Sequence, residues 1–318
     1  MFAMLPSCQK NAPEGPVDNS VYSVGVSLDG VFNGATKSAD KTPTDKEKAF
    51  TDAYVLVFDA DGNLESYKEY TGSSLMFSLT AGKKTIIAAL NAGTDVVNTA
   101  TLSAFRARTS SLADLDAKGF LMLGEKEVII TTSVDFSITV KRMAAKIVVD
   151  KFRVEFDSPL LAVKPVKLKG VYLINVSAKN AYDYSPSGEW VNKMKFETSA
   201  CDAYAAATGL NMSITQGQDY ALDKVFYAFP NPTEDDFHNG DWKARHTRIV
   251  FEVDVDGETY YYNKTFSSVV NNGLYSVNAT KITKIGIDTP DGEMTSTGAG
   301  GEITIDDWTP AGDYDETL

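Results

Sequence analysis

The sequence predicts an all-β protein, two β-sandwiches in series with short helices in the loops. Three observations carry this. Short runs rich in Val, Ile, Tyr and Phe recur along the chain, several with the two-residue alternation of a half-buried strand. Clusters of Gly, Asn and Asp stand between them as turns. One series of strands ends near Lys141-Arg142-Met143, and a second starts there.

Tyr22, Val24, Val26 and Leu28 alternate with Ser23, Gly25 and Ser27, so Val21–Leu28 is the first strand. A polar, Lys-rich stretch follows from Asn33 to Lys48. Ala53–Phe58 is a nearly continuous apolar strand, closed by the turn Asp59-Ala60-Asp61-Gly62-Asn63. Leu75–Leu79 and Thr85–Leu90 flank another turn at Thr80-Ala81-Gly82-Lys83. The segments from Val97 to Arg108 and from Leu112 to Lys118 are the best helix candidates. Strands resume at Gly119–Leu123, Glu127–Thr131 and Phe136–Val140. The second series starts at Ala144 and runs to Phe156. Val166–Val176, Lys224–Phe229, Thr247–Val255, Thr259–Phe266, Leu274–Ile285 and Glu302–Ile305 follow. The polar, Ala-rich stretch from Tyr182 to Met212 predicts long loops and a short helix. The expected domains are 20–142 and 143–308, with a leader and tether at 1–19 and an acidic tail at 309–318.

The 318 residues carry 30 basic and 43 acidic side chains, a net charge of −13. That balance argues against nucleic acid, because phosphate binding needs a basic face. Two cysteines cannot build a disulfide scaffold or a zinc site, and two histidines leave little for metal or acid–base chemistry. No cofactor is expected. Leu5-Pro6-Ser7-Cys8 resembles the end of a bacterial lipobox, so Cys8 is the expected lipidation site and Met1 is read as a start inside a longer leader. Gln9–Asn19, polar with two prolines, reads as a flexible tether. Cys201 has no Cys-x-x-Cys companion and reads as a small, partly buried thiol.

Other local patterns read as structure. Gly82-Lys83-Lys84-Thr85 lacks the spacing and the following helix of a phosphate loop. Asp59-Ala60-Asp61-Gly62 lacks the spaced ligands of a calcium loop. His238 and His246 have no obvious third ligand. Asp306 and Asp307, adjacent on a strand, face opposite ways and cannot line one cleft. Trp190, Trp242 and Trp308 are spaced as core or rim residues rather than as a sugar-stacking platform.

Several segments, taken in order, resemble the fimbrillin family, the type V pilins of Gram-negative anaerobes. They are Tyr54–Gly62, Phe77–Gly82 leading to Ile86–Asn91, Val140–Ile147, Phe226–Asn231, Tyr260–Tyr262, Asn271–Val277 and Ile303–Trp308. The likeness covers roughly residues 20–308. It implies two transthyretin-like Greek-key sandwiches and a fimbrial subunit exported as an outer-membrane lipoprotein precursor. A protease then removes the first strand, here carrying Tyr22, Val24, Val26 and Leu28, and a strand from another subunit's C-terminal end fills the groove. The expected partners are other fimbrial subunits, and host or bacterial surface receptors. No enzymatic activity is implied.

Two features depart from the family. No arginine precedes Arg106, so an arginine-specific cut after the first strand is impossible, and Lys37 or Lys41 is the expected processing site. Residues 285–318 hold nine acids and no base, and the C-terminal strand offers few anchors, Ile303, Ile305 and Trp308, with Tyr314 and Leu318 as further candidates in the tail. A tip or accessory subunit therefore stands beside the stalk reading. The competing function is a surface-anchored glycan-binding lipoprotein. A glycosidase would need two carboxylates across a cleft.

Overall fold

The computed structural model describes residues 19–29, 44–197, 206–234, 236, 242–292 and 302–305. Cys8, Lys37, Lys41, Cys201, His238, Asp306, Asp307 and Trp308 lie outside them.

The first set of strands is β1 (Val21–Asp29), β2 (Ala53–Phe58), β3 (Leu64–Glu69), β4 (Leu75–Thr80), β5 (Gly82–Leu90), β6 (Thr109–Ser111), β7 (Met122–Ile130), β8 (Val134–Thr139) and β9 (Lys141–Arg142). They form a three-stranded sheet, β4-β1-β8, and a five-stranded sheet, β3-β2-β5-β7-β9. The two sheets share a buried cluster, with Val24, Val26, Leu28, Phe77 and Leu79 from the first and Val55, Val57, Ile86 and Ala88 from the second. The alternate residues of the larger sheet, Leu56, Phe58, Ile87 and Ala89, belong to another cluster. Both faces of this sheet are thus buried, which is why Ala53–Phe58 is apolar without interruption.

The second set is β10 (Ala145–Val154), β11 (Val166–Ile174), β12 (Val176–Ser177), β13 (Lys179–Ala181), β14 (Trp190–Val191), β15 (Ala206–Ala207), β16 (Met212–Ile214), β17 (Tyr220–Ala228), β18 (Arg248–Val255), β19 (Glu258–Thr265), β20 (Leu274–Ile282) and β21 (Glu302–Ile305). One sheet runs β17-β10-β20-β21, and the other runs β15-β11-β18-β19 with β16 also on β11. Phe152 of β10 stacks on Phe251 of β18 with centroids 5.6 Å apart, where the two sheets face each other. Strands pair within each set, except that β6 pairs with β13. The cluster containing Leu56 and Phe58 also contains Ile147, Phe152 and Phe251, so buried apolar packing runs unbroken between the sets.

The opening strands of the two sets have the same surroundings. β1 lies antiparallel to β4 and parallel to β8. β10 lies antiparallel to β17 and parallel to β20. In the second set β21 extends the sheet beyond β20; among the described residues, nothing extends the first beyond β8.

Three local readings change. Gly119–Leu123 and Glu127–Thr131 are not two strands. β7 runs unbroken from Met122 to Ile130 because β5 pairs with it throughout, carrying it across the exposed Glu125-Lys126-Glu127. The span from Val97 to Arg108 is not one helix. A 3-10 turn, Thr94–Asn98, is followed by a short α-helix, Leu102–Arg106, capped by Thr101. Between them Ala100 accepts a bond from the Leu64 amide and Thr101 bridges Asn63, so the β2–β3 hairpin takes the chain there. β3 has no clear apolar signal because all six of its residues are at least partly exposed. The described part of Tyr182–Met212 holds the expected loops with short strand pieces; the short helix expected there is not among the described residues, and 198–205 of the stretch lie outside them.

Candidate functional site

The first strand and its seat form the candidate site. The alternation in Val21–Leu28 fixes which residues turn inward: Val24, Val26 and Leu28 are buried, and Tyr22 is half-buried against the same cluster. β1 is the middle strand of its sheet. Residues Val21–Val26 pair with β4, and Val24–Asp29 pair with β8. The ends are tied as well, Ala81 N–H donating to Ser20 O at 2.8 Å and Val140 N–H to Asp29 O at 2.9 Å. Three fully buried aliphatic side chains contribute about 5–9 kcal/mol as an upper bound.

The walls of this seat are held from elsewhere. On the β4 side Lys84, 2% exposed, pairs with Glu65 at 2.6 Å and donates to Thr80 Oγ1 at 2.7 Å. Thr80 in turn donates to Glu65 from its amide at 2.8 Å. Burial pushes the Glu65 carboxyl up, but the Lys84 and Thr80 bonds outweigh it and hold the group below its ordinary range. This links β4 to β3 and β5 of the opposite sheet. The Gly-Lys-Lys-Thr segment therefore places a structural ion pair. On the β8 side Lys126 lies 4.9 Å from the Phe136 ring and donates to Ser137 O. Gly124 of β7 lets β8 approach closely: a Cβ there would lie 2.5 Å from Thr139 O.

The segment that leads into β2 is anchored on the second set. Between β1 and β2 lies α1 (Asp45–Lys48), where Thr44 and Glu47 form a reciprocal capping box. Glu47 is 2% exposed. Its carboxylate accepts from Tyr227 OH at 2.5 Å and pairs with Lys146 at 3.1 Å. Arg142 Nε donates to Glu47 O at 2.7 Å. Burial alone would raise this carboxyl; the Tyr227 and Thr44 bonds, with the Lys146 charge, hold it below the ordinary carboxylate range. The capping pattern Thr44-x-x-Glu47 was the one sequence signal available, and it gave no hint of a partner 99 or 180 residues away.

The last strand also springs from a buried ionic cluster. Asp291 pairs with Arg245 at 2.6 Å and with Arg248, and it accepts from Asn175 at 2.8 Å. Both arginines are at most 1% exposed. Beyond this anchor, β21 pairs antiparallel with β20 through Ile305 against Val277 and Thr304 against Asn278. Ile303 and Ile305 thus sit on the outer strand of the second sheet.

The remaining motifs are structural. Asp59 Oδ1 accepts from the amides of Asp61 and Asn63, closing the β2–β3 turn. His246 lies 3.6 Å from Asp236. Trp190 and Trp242, far apart in sequence, meet with centroids 5.9 Å apart, and Lys193 and Arg245 each lie 5.5 Å from the Trp242 ring. Among the described residues no three His, Cys, Asp or Glu side chains gather as a metal site, and no helix is long and apolar enough to cross a membrane.

No protein-family model and no curated protein matches the chain. Solved structures do. A candidate cell adhesion protein from Parabacteroides distasonis ATCC 8503 aligns at 18% identity and a TM-score of 0.61, over 92% of this chain and 97% of that one. A fimbrilin from Porphyromonas gingivalis W83 aligns at 15% identity and a TM-score of 0.58, over 91% and 96%. The tip fimbrial protein Mfa3 of Porphyromonas gingivalis aligns at 13% identity and a TM-score of 0.50, over 91% and 100%. At these identities the likeness is one of fold, and it extends along nearly the whole of each chain.

Proposed function

We propose, from this fold shared with fimbrial proteins, that the chain is a structural subunit of a cell-surface fimbria that performs no chemistry of its own. It is made as a lipoprotein precursor with the lipid on Cys8 and cut at Lys37 or Lys41. It then polymerises by exchanging its first strand for a strand of another subunit, and the fibre supports adhesion. The two strand sets act as domains 20–142 and 143–308. The donated segment carries Ile303, Ile305 and Trp308.

The observation that carries this reading is the setting of β1. A strand in the middle of a sheet is normally indispensable, yet here each neighbour is fastened to another part of the molecule. Adjacent strands lie about 4.8 Å apart, so removing β1 opens a slot of about 10 Å between β4 and β8. The slot has unpaired backbone groups on both sides and an apolar floor, which is a template for strand addition. The α1 anchor keeps the rest of the chain in place when β1 leaves. Its lysines, Lys46 and Lys48, lie within a folded helix, which favours a cut upstream of it.

Limited trypsin treatment, followed by SDS gels of unheated and boiled samples, tests the reading. The expected result is loss of the first ~40 residues and a ladder that collapses on boiling. A trimmed protein that stays monomeric at high concentration would sink the stalk reading and leave a tip or accessory role. Palmitate labelling tests Cys8 separately, and an unlabelled full-length precursor would refute lipidation.

A further inference from the structure

A cavity of about 280 Å³ opens where the two strand sets meet. Its walls come from both. Ile87 and Leu123 lie on the larger sheet of the first set, and Phe105 and Arg106 on the helix Leu102–Arg106. Glu125 follows on β7, and Tyr182, Asp183 and Tyr184 form the turn after β13. Ile87 and Phe105 are 2% exposed, and the Phe105 and Tyr182 rings meet edge-on at 5.3 Å. The charged groups are more open: Arg106 and Glu125 pair at 2.5 Å with side chains 42% and 40% exposed. The site therefore has apolar and aromatic walls on one side and a carboxylate–guanidinium rim on the other.

The turn is built to hold this shape. Tyr184 has φ +69°, a left-handed backbone that a bulky residue adopts only under constraint. Asn180, fully buried, imposes it by donating to Tyr184 O at 2.8 Å, and Tyr184 N–H donates to Ala181 O at 2.9 Å. Asp183 Oδ1 is taken by the Ser185 amide and hydroxyl. Those bonds, with the Arg106 charge, hold the Asp183 carboxyl below its ordinary range. Burial and Glu125 push the Tyr184 phenol up to about 12, so it stays a hydroxyl that can donate.

We propose that this cavity binds a neutral pyranose ring. A pyranose has an apolar C–H face and a belt of hydroxyls, which matches the half-buried Tyr184 ring beside a carboxylate and guanidinium rim. A purely apolar ligand would strip water from the Arg106–Glu125 pair without replacing its hydrogen bonds. An anion would meet Glu125 and Asp183. A cavity of this size, open on one side, has room for one ring. The site would give the subunit an adhesive specificity of its own, whether or not it polymerises.

Saturation-transfer NMR on the intact, uncut monomer tests this, with methyl α-L-fucopyranoside and methyl β-D-galactopyranoside as probes and p-cresol and acetate as controls. Transfer to ring C–H protons of at least one glycoside is expected. Asp183→Asn, Arg106→Gln and Tyr184→Phe should each weaken it several-fold, with each variant still folded and melting in one transition. No transfer to either glycoside, transfer to p-cresol alone, or glycoside binding untouched by all three variants would overturn the proposal. The monomer is the object, so failure here leaves the strand-exchange reading intact, and a monomer that binds sugar but never forms a ladder keeps this one.

Discussion

Replacing Glu47 with alanine removes the carboxylate that fastens the segment before β2 to the second strand set. Lys146 then loses the Glu47 carboxylate with its side chain only 13% exposed, and the Tyr227 hydroxyl loses its Glu47 acceptor. Removing one member of a buried pair costs about 3–5 kcal/mol, and the partial opening of Lys146 places this case near 3 kcal/mol. With a urea slope of about 3 kcal/mol/M for a chain of this size, the unfolding midpoint should fall by roughly 1 M. The double variant Glu47→Ala/Lys146→Met should recover part of the loss, because the buried lysine charge goes with the carboxylate that balanced it. Limited trypsin digestion should also reach Lys46 and Lys48 in the single variant. A midpoint shift below ~0.3 M, or strictly additive single and double variants, would show that the ion pair does not hold the junction.

The same group gives a pH dependence. Its folded value lies below the 4.5 of the free carboxyl, so the unfolded chain takes up the proton first. The Glu47 contribution should be full above pH 4.5 and fade as pH falls through the lower folded value. The stability gap between the wild type and Glu47→Ala, followed by urea unfolding at several pH values, should narrow on acidification and not on alkalinisation. Asp291→Ala leaves Arg245 and Arg248 buried without their shared carboxylate. A melting temperature lower by on the order of 10 °C is expected from scanning calorimetry. Gly124→Val drives a side chain into the Thr139 carbonyl. It should cost about 1–3 kcal/mol and loosen β8, seen as faster amide exchange at Val134–Thr139.

Much of the fold was legible because strand formation leaves a local mark. Ala53–Phe58 has the bounds its apolar run gives, and the alternation in the first strand identifies Val24, Val26 and Leu28 as inward-facing. Where local chemistry and pairing disagree, pairing wins. β7 continues through Glu125-Lys126-Glu127 because β5 supplies the hydrogen bonds, and β3 forms on the edge of β2 with little apolar content. Trp190 and Trp242 illustrate the same limit for side chains, since spacing along the chain said nothing about their contact.

By itself the sequence determined the all-β class and the inward face of the first strand. Those follow from side-chain periodicity and composition, which are properties of neighbours in the chain. Only the tertiary structure decided that β1 lies between β4 and a parallel β8 some 110 residues away. It alone brought Glu47 to Lys146 and Tyr227, and placed a strained Tyr184 against β7 at the junction cavity. The physical reason is one of range. A strand's faces are set within a few residues, whereas its neighbours and the partners of a buried charge are chosen by how the whole chain covers its apolar surface.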